Sequence, residues 1–400
     1  MILESIKKPL RGSINCSRSF LLEYKLKRFV AKSMATSADR FDFTGFKNKI
    51  SGFVVSMQME GIPFHYRYSK SCKKSTLYAS AYACMTLSLL GELDNYSAVK
   101  KRGWADYFDS FQSESDGLFY DPAVQNAIYA DSDWWGARHL ALHMISAYTD
   151  LGARPRYPFR FLEHYYDKDT MRQWLDESDW GSVAIGHGDP DNKIMNIGCL
   201  LQYQRDVWKD ENAGFAVENL KAYLREKLNP DTGMWGGFSP DEKHQRSRMV
   251  QFAYHLFPIF FYDGGFDFDA DRIVRIVLRT QNKFGGFGVK PNSSACEDID
   301  SIDLLIRFHP FVSSDLQKQI DAALNKAFSW VIINQVEDGG FVFRVNERFE
   351  YGHLQMKSSV NQGAFFPTWF RTLSLALMVN MRGSGRLNLH RCPGYLYAGN

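Results

Sequence analysis

At 400 residues, with 45% apolar and 23% charged residues and a net charge of +3, this chain has an ordinary globular composition. It has no run of 18 or more apolar residues, which argues against a membrane-spanning helix, and the balanced charge gives no reason to expect a nucleic-acid partner. Its six scattered cysteines lack a C-x-x-C spacing, which argues against a disulfide framework and a structural zinc site. The unusual figure is 15% aromatic residues, which fill helix interfaces and also line cavities for hydrocarbons, sugars or cations.

The chain begins with a basic segment. Residues 1–40 contain nine Lys or Arg against three Asp or Glu, and they precede the periodic part of the sequence. Such a leader can make peripheral contact with an anionic membrane surface. It lacks the continuous apolar core of a secretory signal, so we expect a cytoplasmic protein. We treat residues 1–44 as a leader and expect residues 1–40 to be removable with little loss of stability.

After the leader, a glycine beside an aromatic residue recurs six times, and an apolar helix-like stretch follows each of these turns. The glycines are 49 to 64 residues apart, a period typical of a stacked or closed array of supersecondary units. We therefore predict an all-α fold, a single (α/α)6 toroid over residues 45–380, with inner and outer helices and an irregular, turn-rich tail over residues 381–400. The six glycines are Gly61, Gly117, Gly181, Gly236, Gly285 and Gly339.

Three of these turns share a longer pattern. Residues 281–287 and 335–341 both read Q-x-x-x-G-G-F, and residues 112–119 match with one extra residue. We expect the glutamine amide to satisfy carbonyls left unpaired at the end of an outer helix. The glycines allow positive φ, and the aromatic side chain should plug the space between neighbouring helix pairs.

These segments resemble the Q-x-x-x-G-G-F repeats of the terpene cyclase and protein prenyltransferase superfamily, whose members share the α/α toroid. The resemblance covers roughly residues 50–380 and implies a fold rather than one activity. In the prenyltransferase branch, zinc is held by an Asp and a Cys at this turn and by a His on the next inner helix. Here the turn positions are Asp298 and Asp300, and residues 366–371 contain no histidine. The resemblance therefore implies no zinc site.

The segment after the fifth turn has the most chemical promise, because four acidic residues stand at the start of an apolar helix. Helix capping is one explanation, since the helix dipole favours carboxylates at this position. Four acids exceed the needs of a cap, and crowding should raise the pKa of at least one, which could then act as a general acid. We expect Asp300, in the middle of the cluster, to be that acid. The candidate catalytic residues are Glu297, Asp298, Asp300 and Asp303.

Residues 298–302 also resemble the D-x-D-D or D-x-D-T-T motif of class II terpene cyclases, although Ser301 and Ile302 stand where that motif continues. In that family the motif's acid protonates an alkene, and this begins cyclisation. The resemblance implies acid-initiated cyclisation of an isoprenoid in the toroid cavity. It implies no cofactor, apart from Mg²⁺ if the substrate is a diphosphate.

The openings of the other inner helices should line the same cavity. They mix aromatic rings with acids, arginines, histidines and asparagines. An arginine in an apolar helix needs a partner, which is either an internal Asp or a bound anion. We predict substrate-binding roles for Asp131, Asp133, Trp134, Arg138, His139, Asn196, Arg248, His353, Trp369 and Arg371.

This mixture leaves three functions open. The leading hypothesis is a terpene-cyclase-like enzyme acting on a small or lipid-like substrate. The alternative is a carbohydrate-active toroid of the glycoside hydrolase, lyase or epimerase type, in which the same acids act on a glycan. A glycan cavity would combine aromatic platforms with charged residues, whereas a hydrocarbon cavity would be mostly aromatic. The third is a binding scaffold without catalysis.

Overall fold

The protein is described by a computed structural model that covers residues 21–27, 41–124, 136–181, 190–383 and 385–395. In these ranges twelve α-helices alternate between an outer and an inner layer. The outer helices are α1 (Phe43–Met57), α3 (Ala98–Asp109), α5 (Lys168–Asp176), α7 (Glu211–Glu226), α9 (Ala270–Leu278) and α11 (Ser314–Ile333). The inner helices are α2 (Leu77–Leu89), α4 (Ala137–Leu151), α6 (Pro190–Trp208), α8 (Lys243–Tyr262), α10 (Ala295–Phe308) and α12 (Phe365–Asn380). A two-stranded antiparallel pair, β1 (Phe349–Glu350) and β2 (Lys357–Ser358), precedes α12.

The inner helices form a closed ring. Each inner helix packs against the next one, and α12 returns to pack against α2. Every residue of α2 is buried, as its continuous apolar sequence requires. The outer helices are amphipathic instead, and α9 turns one apolar face to the ring by burying Ile273, Val274, Ile276 and Val277. The predicted (α/α)6 toroid is therefore confirmed.

At the fifth turn the repeat glutamine ties the turn to the next outer helix. Nε2 of Gln281 donates hydrogen bonds to the carbonyl of Gly285, at 2.9 Å, and to the carbonyl of Ala323 in α11, at 2.8 Å. The expected capping of the helix that ends at the turn is thus replaced by a link to the next outer helix. The aromatic residue of the same turn, Phe287, is fully buried, as its role of a plug predicts.

The turn glycines explain how the ring closes. Gly285 has φ of +100°, and a Cβ there would collide with the carbonyl oxygen of Lys326 in α11. Gly339 has φ of +89°, and a Cβ there would collide with the carbonyl oxygen of Lys49 in α1. The fifth turn therefore packs against the next outer helix, α11, and the sixth turn packs against the first outer helix, α1. Only glycine combines the positive φ with such a close approach.

Part of the basic leader is attached to the toroid. Residues 21–27 are helical, and Leu26 is fully buried in a small apolar cluster with Trp330, Val342 and Val345. Glu23 forms an ion pair with Lys283 of the fifth turn. Removal of residues 1–40 without loss of stability stays a prediction, and the burial of Leu26 argues against it for residues 21–27.

The described part of the tail belongs to the core, and the irregular tail expected over residues 381–400 stays a prediction. Residues 385–395 contain neither helix nor strand, but Leu387, Cys392 and Tyr395 are buried. Within the described ranges, the helices are all too short or too polar to cross a lipid bilayer.

Candidate active site

The amino-terminal ends of the inner helices enclose a cavity of about 420 Å³. Its polar side chains come chiefly from α8 and α10, and its aromatic side chains come from α12, from the loop around β1 and from the tail. The polar part of the lining includes His139, Asn192, His244, Arg248, Gln251, His255, Glu297, Asp300, Ser301, Arg344 and Glu350. The aromatic part consists of Phe343, Phe349, Tyr351, Phe366, Phe370 and Tyr395.

Asp300 lines this cavity and is the buried acid of the cluster that keeps an oxygen without a partner among the described residues. The residue is 2% exposed, and its Oδ2 atom accepts no hydrogen bond from the described residues. Burial raises the pKa of Asp300 well above its usual range, the nearby Glu297 and Asp191 add to the shift, and Arg248 opposes it. The protonated carboxylic acid is thus favoured, and this form can donate a proton.

Asp298, two residues earlier, is fully engaged in the protein interior. Its Oδ2 accepts hydrogen bonds from Nη1 of Arg371, at 2.8 Å, and from Nε1 of Trp330, at 3.0 Å. Its Oδ1 accepts from Oγ of Ser293, at 2.6 Å, and from the backbone N–H of Phe287, at 2.9 Å. Asp298 therefore fastens the fifth turn, α10, α11 and α12 to one another.

Arg371, one of the predicted anion holders, is the buried partner in that arrangement. Its side chain is fully buried, and besides Asp298 it donates to the backbone carbonyls of Val342 and Phe343, both at 3.0 Å. These contacts direct the guanidinium at protein acceptors, and Arg371 lies outside the cavity lining.

The other two acids of the cluster are also paired. Glu297 closes the capping box of α10 by accepting from the backbone N–H of Ser294, at 3.0 Å, and it forms an ion pair with Arg344, at 2.6 Å. Asp303 pairs with Arg307 one turn later, at 3.2 Å. The sequence cluster thus separates into three paired carboxylates and one unpaired acid.

A second polar group joins α6 to α8. Arg248 donates to both carboxylate oxygens of Asp191, at 2.9 and 3.0 Å, and Nδ1 of His255 lies 2.7 Å from Oδ2 of the same carboxylate. Burial raises the pKa of Asp191 to about 7, and the two hydrogen bonds from Arg248 favour its ionised form at neutral pH. Arg248 is therefore held by an internal Asp at the edge of the cavity.

His255 has the arrangement of an oriented base. Burial, with Arg248 as the second cause, lowers the pKa of His255 to about 3, so the ring is neutral at neutral pH. The hydrogen-bond network assigns the proton to Nδ1, which donates to Asp191. Nε2 then remains as an acceptor on a side chain that is 12% exposed and lines the cavity. A carboxylate that fixes the imidazole tautomer in this way orients Nε2 as a proton acceptor, and the low pKa makes it a weak base suited to a strongly acidic proton.

His139 lies on the other side of the cavity among tyrosine hydroxyl groups. Its Nδ1 is 2.9 Å from the hydroxyl oxygen of Tyr78, and its Nε2 is 3.2 Å from that of Tyr351. Burial lowers the pKa of His139 to about 3. The ring of Tyr351 stacks on Phe366, with centroids 4.2 Å apart, so the hydroxyl belongs to the aromatic wall.

The remaining predicted binding residues lie away from the cavity lining or outside the described residues. Arg138 lies over the rings of Phe161 and Tyr165, on the outer side of α4. Trp369 and Asn196 are buried within α12 and α6, and His353 lies in the loop between β1 and β2. Asp131, Asp133 and Trp134 are outside the described residues, and the roles predicted for all these residues remain predictions.

The sequence did contain a signal for the missed residue His255. Gln251 and His255 follow Arg248 by three and seven positions, which places the three side chains on one face of an otherwise apolar helix. Tyr395 lies outside every helical period and had no such signal. In the described part of the chain, His, Cys, Asp and Glu side chains form no group of three placed to hold a metal ion. The Mg²⁺ expected with a diphosphate substrate stays a prediction.

Comparison with known proteins assigns the chain to no family. No family model matches the chain, and no curated protein matches it. Similar solved structures include a polysaccharide lyase, at 14% identity and a TM-score of 0.47, over 87% of this chain and 99% of that one. The type II terpene cyclase MstE from Scytonema has 12% identity and a TM-score of 0.46, over 86% and 99%. A GH76 alpha-mannanase from Bacteroides thetaiotaomicron has 11% identity and a TM-score of 0.43, over 86% and 96%.

These solved structures include both enzyme classes that the sequence left open. With TM-scores below 0.5, these likenesses decide neither the fold nor the function of this chain. The toroid rests on the packing of its own helices.

Proposed function

We propose that the protein is a terpene-cyclase-like enzyme in which Asp300 protonates an isoprenoid bound in the cavity. The observation that supports this most is the position of Asp300. Its carboxyl is buried, unpaired at Oδ2 and favoured in its protonated form, and it faces a cavity with an aromatic wall. A neutral carboxylic acid beside an aromatic wall can give its proton to a weak base such as an alkene.

The proposed step is a proton transfer followed by ring closure. The O–H bond of Asp300 breaks, and its proton forms a C–H bond with the π electrons of one alkene, which leaves a carbocation on the neighbouring carbon. The π electrons of a second alkene attack this carbon and close a ring. The aromatic rings that line the cavity can stabilise the migrating positive charge by cation–π attraction. A base ends the sequence by removing a proton, and Nε2 of His255 is our candidate.

The polar half of the cavity suggests that the substrate has a polar end. Arg248 and Arg344 lie on this half, each already beside a carboxylate, together with the amide of Gln251. An isoprenoid with a polar head group could place its head there and its chain against the aromatic wall.

A glycan-active enzyme is the second candidate, because the Asp191–His255 pair and the Tyr351 hydroxyl share this cavity with Asp300. In that case Asp300 would protonate a glycosidic oxygen, and His255 would act as the base. A binding scaffold without catalysis remains the third.

Turnover by wild-type protein and the Asp300→Asn variant tests the proposal. The substrates are a panel of isoprenoid diphosphates and alcohols and a parallel panel of neutral and acidic glycans. We expect wild-type protein to convert an isoprenoid to an isomer of unchanged mass, detected by gas chromatography and mass spectrometry. Asn keeps the shape and removes the acid, so turnover should fall by about 10²- to 10⁴-fold.

The matched control is Asp315→Asn, which changes an exposed aspartate at the start of α11 and should keep full turnover. An active Asp300→Asn enzyme would overturn the assignment. Wild-type protein that converts a glycan and no isoprenoid would establish the second candidate. Protein inert toward both panels would favour the scaffold.

A further inference from the structure

The described part of the tail, residues 385–395, closes the end of the toroid opposite the glycine turns. The backbone N–H of Asn388 donates to the carbonyl of Leu89 at the end of α2, at 2.9 Å. Nη2 of Arg391 donates to the carbonyl of Tyr262 at the end of α8, at 2.8 Å. Both contacts satisfy carbonyls that a helix terminus leaves unpaired, and the positive charge of Arg391 suits the negative end of a helix dipole.

After Asn388 the tail runs along α4 toward the cavity. Nδ1 of His390 lies 2.8 Å from Oδ1 of Asp150, near the end of α4. Sγ of Cys392 lies 3.6 Å from the hydroxyl oxygens of both Ser146 and Thr149, one turn closer to the cavity. Because α4 rises about 1.5 Å per residue, these contacts trace a path up the axis of the ring.

The path passes through the narrow centre of the toroid. Gly394 has φ of +97°, and a Cβ there would lie 3.0 Å from Cδ1 of Leu142 and within 4 Å of Cys199 and Met195. These three residues belong to α4 and α6, so the backbone touches two inner helices at once. A glycine is required where the backbone approaches side chains this closely in the left-handed region.

Tyr395, the last described residue of the tail, lies at the bottom of the cavity. Its ring stacks on His143, with centroids 5.2 Å apart and planes 6° from parallel. It also meets Trp369 edge-on at 4.9 Å and lies 5.9 Å from Phe370. Tyr395 is 6% exposed and lines the cavity. Because the tail reaches it from the opposite end of the ring, we place its ring at the floor of the cavity.

We propose that Tyr395 is a specificity-determining residue, because as the floor of the cavity it limits the length of apolar chain that fits. The inference rests on the proposed function, since it assigns the apolar end of an isoprenoid to this floor. A smaller side chain should open space between His143, Trp369 and Phe370 and allow a longer chain to enter. The polar half of the cavity, on α8 and α10, would be unchanged.

Binding of a series of isoprenoid alcohols tests this without requiring turnover. Geraniol, farnesol and geranylgeraniol are titrated into wild-type protein and the Tyr395→Ala and Tyr395→Phe variants by isothermal calorimetry. In Tyr395→Ala the ratio of affinities should shift toward the longest alcohol by about tenfold, since burying each additional methylene group strengthens binding several-fold. Tyr395→Phe keeps the ring and should show the wild-type preference.

Each other outcome is informative. If folded Tyr395→Ala protein keeps the wild-type preference for chain length, Tyr395 does not limit the length of the bound chain. This holds even if Asp300→Asn abolishes turnover as proposed. If the preference for chain length shifts but the protein converts no isoprenoid, the role of Tyr395 is supported and the proposed function is refuted. Wild-type protein that binds none of the alcohols overturns both. If Tyr395→Ala fails to fold, Tyr395→Leu preserves more packing and should show the same shift, smaller in size; its absence also overturns the proposal.

Discussion

Asp298 and Asp300 lie two positions apart on α10, and the same substitution should damage a different property at each. Asp298→Asn replaces one carboxylate oxygen by an NH₂ group, which cannot accept. Each oxygen serves two donors, so at least two buried donors lose their acceptor. The fully buried Arg371 also loses its counter-charge. Breaking a buried ion pair from one side costs about 3–5 kcal/mol, a large part of the 5–15 kcal/mol that stabilises a typical domain.

Asp300→Asn should leave stability unchanged or increase it. No described group donates to Oδ2 of Asp300, so little bonding is lost there. Its pKa is raised in the folded state, so folded protein binds this proton more tightly than unfolded protein does. The free energy of unfolding therefore falls as the pH rises above the unfolded pKa of about 4, and Asn removes that loss.

Urea denaturation followed by tryptophan fluorescence, at pH 5 and pH 8, measures both variants against wild-type protein. We expect a much lower midpoint for Asp298→Asn at both pH values. We expect a midpoint for Asp300→Asn at or above that of wild-type protein, with the larger gain at pH 8. Equal destabilisation by the two substitutions would refute the division into a structural and an unpaired acid, and so would a stable Asp298→Asn protein.

Three further outcomes are expected from urea midpoints. Gly339→Ala should destabilise the ring by about 1–3 kcal/mol more than Gly61→Ala, because both glycines have positive φ but only Gly339 lies against the carbonyl of Lys49. Equal losses of stability would contradict the close packing of the sixth turn against α1. Leu26→Ala should cost about 2–5 kcal/mol if the leader helix is docked in solution, and no loss would show that it is not. The hydrogen bond to its partner carboxylate raises the pKa of His390, so its contribution should be complete below about pH 6.5 and be lost as the pH rises through the folded value. His390→Gln should remove that dependence, and an unchanged pH profile would contradict it.

Periodicity in the sequence predicted the toroid, because every unit repeats the same turn and the same apolar helix. The glycines of the turns were informative for a physical reason, since positive φ and close approach leave no alternative residue. The sequence did not predict which helix Gln281 would bond. Its acceptor, the carbonyl of Ala323, belongs to another unit and is not adjacent in sequence.

The acid cluster was recognised from sequence, but its division was not predictable. Which of Asp298 and Asp300 is paired depends on Arg371, 73 positions away from Asp298. Tyr395 lay beyond prediction for a similar reason. Its neighbours His143 and Trp369 come from two different units, and the tail that holds it has no period of its own.

The seam between the sixth turn and α1 also has a consequence for folding. An open array of helix pairs needs polar caps on its terminal repeats, whereas a ring has no terminal repeat. The same closure must wait until the last unit has been synthesised, because Gly339 packs against Lys49 near the other end of the chain. Until then α1 and α11 each present an uncovered flank, and contacts so distant in sequence form slowly. We therefore expect the growing chain to be most exposed to aggregation just before the ring closes.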